Sequence, residues 1–228
     1  MVSENTIQMS ASEIAQYIDH TLLKPEATPP AFDQLCEEAI RYGFKAVCVN
    51  SGWVAYAAQK LEGTAITVCS VVGFPLGAMH SRGKAFEARQ AVEDGARELD
   101  MVIRIGDLKA GNFKAVEDDI LAVRHAAEHP VRLKVIIETC LLTNAEKVKV
   151  CEIARTAGAD FVKTSTGFAA GGATLQDVTL MRQAVGPGMG VKASGGIKDY
   201  ETAAGMIAAG ATRIGAGAGV AIVGGAEN

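Results

Sequence analysis

The chain lacks the marks of several large protein classes. It contains no run of 18 consecutive apolar residues, so no segment reads as a membrane-spanning helix. The opening stretch, MVSENTIQMSASEIAQ, has neither a basic start nor an apolar block, so no secretory leader is expected. Basic residues are not in excess: 22 Lys and Arg stand against 26 Asp and Glu, a net charge of −4. That balance argues against a nucleic-acid-binding surface. Proline numbers only six and aromatics make up 5%, which excludes proline-rich chains. The five cysteines (Cys36, Cys48, Cys69, Cys140 and Cys151) are odd in number and none is spaced CxxC. A disulfide framework or zinc knuckle would need clustering, so the cysteines read as reduced thiols in a cytoplasmic protein, each a small buried hydrophobe. The histidines, His20, His80, His125 and His129, form no HExxH pair, and His125 and His129 read as solvent-facing or capping residues. There is no GxSxG serine and no GxxxxGKS or GxxxxGKT loop. Neither a serine hydrolase nor a nucleoside triphosphate site is indicated, and no metal or other cofactor is expected.

What is present is glycine, 25 of 228 residues, in a chain that is 49% hydrophobic. Eight short β-rich runs recur, at 17–22, 46–50, 66–72, 99–105, 133–137, 160–163, 190–193 and 213–215. Between them lie stretches with apolar residues at helical spacing, at 29–42, 53–61, 81–95, 113–128, 144–157, 174–185 and 200–209. Gly43, Gly95, Gly158 and Gly210 each follow a helical stretch and precede a strand, as left-handed C-terminal caps do. Eight units of about 28 residues hold a strand, a short helix and two loops. The strands read as apolar on both faces, as covered parallel strands should. The pattern predicts one α/β domain over 1–228, a (β/α)8 TIM barrel with a short helix around 12–16. An open doubly wound sheet is the alternative.

In such barrels the chemistry sits at the C-terminal ends of the strands. Lys134, Lys163 and Lys192 each interrupt an apolar strand, although lysine is rarely buried without a partner. Lys163 and Lys192 lie one βα unit apart, so register would set them about 4.8 Å apart on neighbouring strands. Like charge and a dry site both lower a lysine pKa, which suits a Schiff-base nucleophile. Asp100 lies inside the run ELDMVIRIG, where a carboxylate needs a partner, and is a candidate proton relay. Gly195 and Gly196 follow strand 7, Gly215 and Gly217 close strand 8, and Thr166-Gly167 follows strand 6. Loops in these positions often hold phosphate on backbone N–H groups, with glycine permitting close approach. Asp19 and Thr21 on strand 1 and Lys134 on strand 5 are further candidates for the lining. Glu138 is the strongest candidate base for a rival isomerase or lyase chemistry, and an inactive barrel that only binds a sugar phosphate is the other alternative.

The segments YIDHTLLKPEAT (17–28), AVCVN (46–50), VVGFPLG (71–77), ELDMVIRIGDLKAG (98–111), LKVIIETCLLT (133–143), GADFVKTSTGF (158–168), GVKASGGIKD (190–199) and TRIGAGAGV (212–220) together resemble the deoxyribose-phosphate aldolase family. The resemblance runs over about 12–223. It implies a metal-independent class I aldolase that cleaves 2-deoxy-D-ribose 5-phosphate to D-glyceraldehyde 3-phosphate and acetaldehyde. It also implies a homodimer or larger homo-oligomer. Lys163 then resembles the Schiff-base lysine, Lys192 its partner, and Asp100 the proton donor and acceptor. The sequence departs from the family pattern in its last loop, where Gly217-Ala218 lacks the usual serine. Arg104 stands where Asn is more usual and Ser51 where Pro is, and no C-terminal tyrosine is present.

Overall fold

The structure, a computed structural model, describes residues 8–226. Eight parallel strands close into a barrel in chain order: β1 (Ile18–Leu22), β2 (Ala46–Val49), β3 (Thr67–Val72), β4 (Glu98–Val102), β5 (Arg132–Ile136), β6 (Phe161–Lys163), β7 (Gly190–Ser194) and β8 (Arg213–Ala216). A short helix, α1 (Ala11–Ala15), precedes β1. The outer helices are α2 (Pro29–Tyr42), α3 (Val54–Lys60), α4 (Ser81–Glu93), α5 (Ile105–Lys109), α6 (Phe113–Ala126), α7 (Asn144–Thr156), α8 (Leu175–Val185), α9 (Tyr200–Ala208) and α10 (Gly219–Gly225). The expected TIM barrel is therefore present, and the open sheet is excluded by the β1–β8 pairing.

The local reasons are legible. In α2, Phe32, Leu35, Cys36 and Ala39 fall on one face and are buried, while Pro29 and Pro30 sit where their missing N–H groups cost nothing. Each of the large side chains on that face stabilises the fold by about 1.5–3 kcal/mol when fully covered. Ser10 with Glu13, and Thr143 with Glu146, form reciprocal caps that satisfy the first N–H groups of α1 and α7. The connector glycines Gly43, Gly95, Gly158 and Gly210 all take positive φ, as their place after a helix predicted.

Two expectations fail in instructive ways. The run 99–105 is not all strand: β4 ends at Val102, and Ile105 opens α5. Arg104, with ψ 83°, turns the chain, and its Nε pairs with Asp107 Oδ2 at 2.5 Å on the first turn of α5. The apolar run continues past the turn because Ile103 and Leu108 are both buried. The strands are also not apolar on both faces. Their outward faces join the main core beneath the helices, but the inward apolar cluster is small: Leu23, Cys48, Cys69 and Val71, with Phe74 packed on it. Much of the rest of the barrel interior is charged. Outside the barrel, Lys84 of α4 and Asp119 of α6 form a fully buried ion pair at 2.6 Å, and the lysine also donates to the Val102 carbonyl. Among the cysteines only Cys140 departs from its expected burial, being exposed. His125 and His129 face solvent as expected.

Candidate active site

The register of the parallel ladder brings the charges together. Lys163 pairs with Lys192 across β6 and β7, Asp100 with Lys134 across β4 and β5, and Lys192 with Arg213 across β7 and β8. Successive side chains alternate faces, so these in-register residues meet inside the barrel. Asp100 is the centre. Its Oδ2 accepts from Lys163 Nζ and from Lys192 Nζ, both at 2.7 Å. Its Oδ1 accepts from Lys134 Nζ at 2.8 Å and from Cys69 Sγ at 3.1 Å. Asp19 accepts from Lys192 on one oxygen and from Arg213 at 2.6 Å on the other. Glu98 closes the set beneath, 2.6 Å from Lys134 and 3.0 Å from Arg213.

Among the described residues this buried lattice holds four cations (Lys134, Lys163, Lys192 and Arg213) and three carboxylates (Asp19, Glu98 and Asp100). Burial opposes the charge on Asp100, but Lys134, Lys163 and Lys192 outweigh it and hold the carboxyl well below the usual range. Burial likewise opposes the charge on Lys192, yet Asp100 and Asp19 together push its ammonium above the ordinary lysine value. The sequence-based expectation that a dry, like-charged site lowers a lysine pKa does not hold at Lys192, because two carboxylates face it. At Lys134 the same balance also runs upward, burial being outweighed first by Asp100.

Above the lattice opens a cavity of about 560 Å³. Lys163, the last residue of β6, forms its floor; Asp100, Lys192, Lys134 and Asp19 are fully buried beneath and do not line it. Of the residues expected to hold substrate, Thr21, Thr166, Gly167, Gly195, Gly196, Gly215 and Gly217 all border the cavity. The peptide N–H groups of Gly167, Gly195, Gly196 and Gly217 donate to no acceptor among the described residues. Gly195 must be glycine: its φ is +87°, and a Cβ there would meet Gly172 Cα at 3.0 Å.

Three expected lining residues have other work. Thr166 donates its hydroxyl to Glu138, which also receives the Thr166 N–H, and accepts from the Phe168 N–H at 3.0 Å. Gly215 lines the cavity, but the space a side chain would need is crossed by Lys192, whose Cε lies 2.9 Å from a Cβ built there. Lys134 stands below the cavity rather than in it. Arg104 also stays outside, held by Asp107. Lys24, Phe168, Ser194, Ile197 and Lys198 also line the cavity and were not expected. Arg213 and Glu98 were likewise missed, although period two places Glu98 on the face of Asp100, and one further βα unit places Arg213 beside Lys192.

Cys48, Cys69 and Asp100 offer ligand atoms within 4.8 Å of one another. The donor set does not favour a cation: Asp100 already receives three ammonium groups, and Lys134 Nζ points at Cys69 Sγ from 3.3 Å.

The pattern that defines the DeoC/LacD family aldolases matches residues 13–224. The chain belongs to that family. A deoxyribose-phosphate aldolase of Geobacillus sp. (strain WCH70) is 58% identical over 212 residues, covering 93% of this chain and 95% of the relative. One from Streptococcus equi subsp. zooepidemicus is 60% identical over 210 residues, covering 92% and 95%. The solved deoxyribose phosphate aldolase of Aeropyrum pernix, a tetramer, superposes with a TM-score of 0.88 at 34% identity over 94% of this chain and 91% of its own. Lys24 and Lys198 bring two cationic side chains to the wall that the serine-free Gly217-Ala218 loop also lines. No helix among the described residues is long and apolar enough to cross a membrane.

Proposed function

We propose that this member of the aldolase family cleaves 2-deoxy-D-ribose 5-phosphate reversibly to D-glyceraldehyde 3-phosphate and acetaldehyde through a Schiff base on Lys163. The observation that carries this reading is the sharing of Asp100 Oδ2 by Lys163 and Lys192 at the floor of a glycine-lined cavity. The names of the relatives supply the substrate.

The chemistry follows from the lattice. A Schiff base needs a neutral amine. Removing one proton from four cations leaves three, matched by three carboxylates. Lys163 meets one carboxylate, Lys192 and Arg213 two each, and Lys134 three. Lys163 thus has the fewest carboxylate partners and is also the lattice member that faces the cavity, which makes it the amine that attacks. Its Nζ attacks the substrate aldehyde at C1, and loss of water gives an iminium. The iminium draws the electrons of the C2–C3 bond as the C3 hydroxyl loses its proton, releasing glyceraldehyde 3-phosphate. The remaining enamine takes a proton at its terminal carbon, and hydrolysis frees acetaldehyde and the lysine. Asp100 and Lys192, both in contact with Lys163 Nζ through one carboxylate oxygen, move the protons; such transfers contribute about 10²–10⁴ in rate. Gly167, Gly195, Gly196 and Gly217 hold the phosphate on their N–H groups, with Thr166, Thr21 and Gly215 shaping the wall. Anchoring the far end in this way fixes C1 over the lysine. Asp19 and Lys134 hold Lys192 and Asp100 in place. In this reading no metal or cofactor takes part, and the enzyme works as a cytoplasmic homo-oligomer.

The rival with Glu138 as base is disfavoured by the commitment of that carboxylate to Thr166 and its absence from the cavity wall. The test is direct. Incubation with acetaldehyde, borohydride reduction and peptide mapping should place a stable adduct on Lys163. An adduct elsewhere, or none, overturns the mechanism.

A further inference from the structure

His20 lies on β1 between Asp19 and Thr21, so it points away from the barrel interior, toward the outer helices. It is buried, and its Nε2 lies 2.7 Å from Glu38 Oε2. Glu38 is itself oriented by Gln34, whose amide donates at 2.7 Å to the other oxygen. The ring is thus fixed from one side. On the other side its Nδ1 is buried with no hydrogen-bond partner. Such an orphaned atom costs about 1–3 kcal/mol that an apolar ring of the same size would not.

The orphan faces the end of the last loop. A Cβ built on Gly219 would lie 2.8 Å from His20 Nδ1 and 3.0 Å from Phe44 Cζ, and the two rings stand 4.8 Å apart. Gly219 opens α10 directly after Gly217-Ala218, so its backbone rests against both rings. A small cavity of about 170 Å³ reaches from His20 and Glu38 to Thr21 and Gly217, two residues that also line the large cavity. The imidazole therefore backs the anion-binding loop from behind.

Resting on the aldolase reading above, we infer that His20 is a positioning residue for the loop Gly217–Gly219, acting on the phosphate end of the substrate. Its Nδ1 accepts a hydrogen bond from that loop, directly or through a water in the small cavity, when the anion is bound. His20 touches neither Lys163 nor Asp100, so it acts on substrate placement and not on the proton transfers.

The test compares 2-deoxyribose 5-phosphate with unphosphorylated 2-deoxyribose. His20→Ala should raise KM for the phosphorylated sugar about tenfold with kcat nearly unchanged, and leave kcat/KM for the unphosphorylated sugar within about twofold. Glu38→Gln, which keeps an acceptor for Nε2–H, should behave as the parent. Equal losses on both sugars would reduce His20 to a packing residue, and an unchanged KM would remove it from the loop altogether; either overturns the inference. If His20→Ala fails to fold, Glu38→Ala decides, because that side chain is partly exposed: a phosphate-selective rise in KM of about threefold supports the inference, and its absence overturns it. Borohydride trapping on Lys163 separates the two levels. Failure to trap in the parent defeats the aldolase reading, whereas normal trapping without phosphate selectivity in the variants defeats only the role of His20.

Discussion

Asp100→Asn is the sharpest perturbation the lattice offers. The carboxylate accepts from Lys134, Lys163, Lys192 and Cys69 with two oxygens. An amide has one acceptor oxygen and two N–H donors, so on one side donors would face donors. The buried set would go from four cations and three anions to four and two. Removing one partner of a buried ion pair costs about 3–5 kcal/mol, a large share of the roughly 5–15 kcal/mol that holds a domain folded. At about 2–4 °C per kcal/mol for a chain of this size, the melting temperature should fall by about 6–20 °C. Turnover should fall further, by about 10²–10⁴, because the proton relay is lost. The assays are a thermal melt by circular dichroism and the cleavage rate at saturating substrate. A variant that melts within about 2 °C of the parent, or keeps turnover within about tenfold, would refute the reasoning. The pH dependence adds a sign. The native carboxyl of Asp100 is held below its unfolded value, so its contribution is complete above that value and lost as pH falls through the native one. The stability gap between parent and variant should therefore be full at about pH 5 and shrink below about pH 4. Lys134 and Lys192 are held above their unfolded values, so their contribution persists up to about pH 10 and is lost only beyond it. A gap that closed at neutral pH would contradict this assignment.

Three other outcomes are expected. Lys84→Met leaves Asp119 buried and unpaired, so denaturant unfolding should show a loss of about 3–5 kcal/mol, with kcat and KM unchanged; the double change with Asp119→Leu should recover most of it. Gly217→Ser restores a hydroxyl where φ is not left-handed, although its Cβ meets the Thr21 carbonyl oxygen at 3.1 Å. A hydrogen bond to a charged group is worth about 1.5–3 kcal/mol, so KM for the phosphorylated sugar should fall about fivefold or more even after that tight contact is accommodated; an unchanged KM would count against the loop as the anion site. Gly215→Ala sets a methyl 2.9 Å from Lys192 Cε, so kcat should drop about tenfold or more through displacement of that lysine from Asp100, as steady-state kinetics on a correctly folded variant would show.

The barrel was legible because its signals repeat. Eight strand-like runs and four connector glycines make the same statement several times, so an error in one unit does not change the count. The run through Ile103 and Ile105 misled because burial on both sides of the Arg104 turn mimics a continuous strand. Lys163, Lys192 and Asp100 stood out as charges inside apolar runs. Arg213 and Glu98 did not, because each begins its strand and so looks like a residue at a loop boundary. Only the closed register shows that the lower end of the barrel is as charged as the middle. The commitments of Thr166 and Gly215 were invisible for a different reason: the partners that claim them, Glu138 and Lys192, come from other βα units. Burial at Lys192 suggested a lowered pKa; of the two carboxylates that together reverse the sign, Asp100 and Asp19, the second is 173 residues away in the chain.

β6 ends at Lys163, level in register with the last residues of β4 and β5, and the lattice is reached from the cavity by that amine. Asp100 and Lys192 stand behind it, closed to solvent. In the proposed scheme the proton at the enamine carbon is exchanged with these sealed groups. A deuteron taken from the methyl group of bound acetaldehyde is then able to return to the same carbon before it reaches bulk water, an internal return that an open site would wash out.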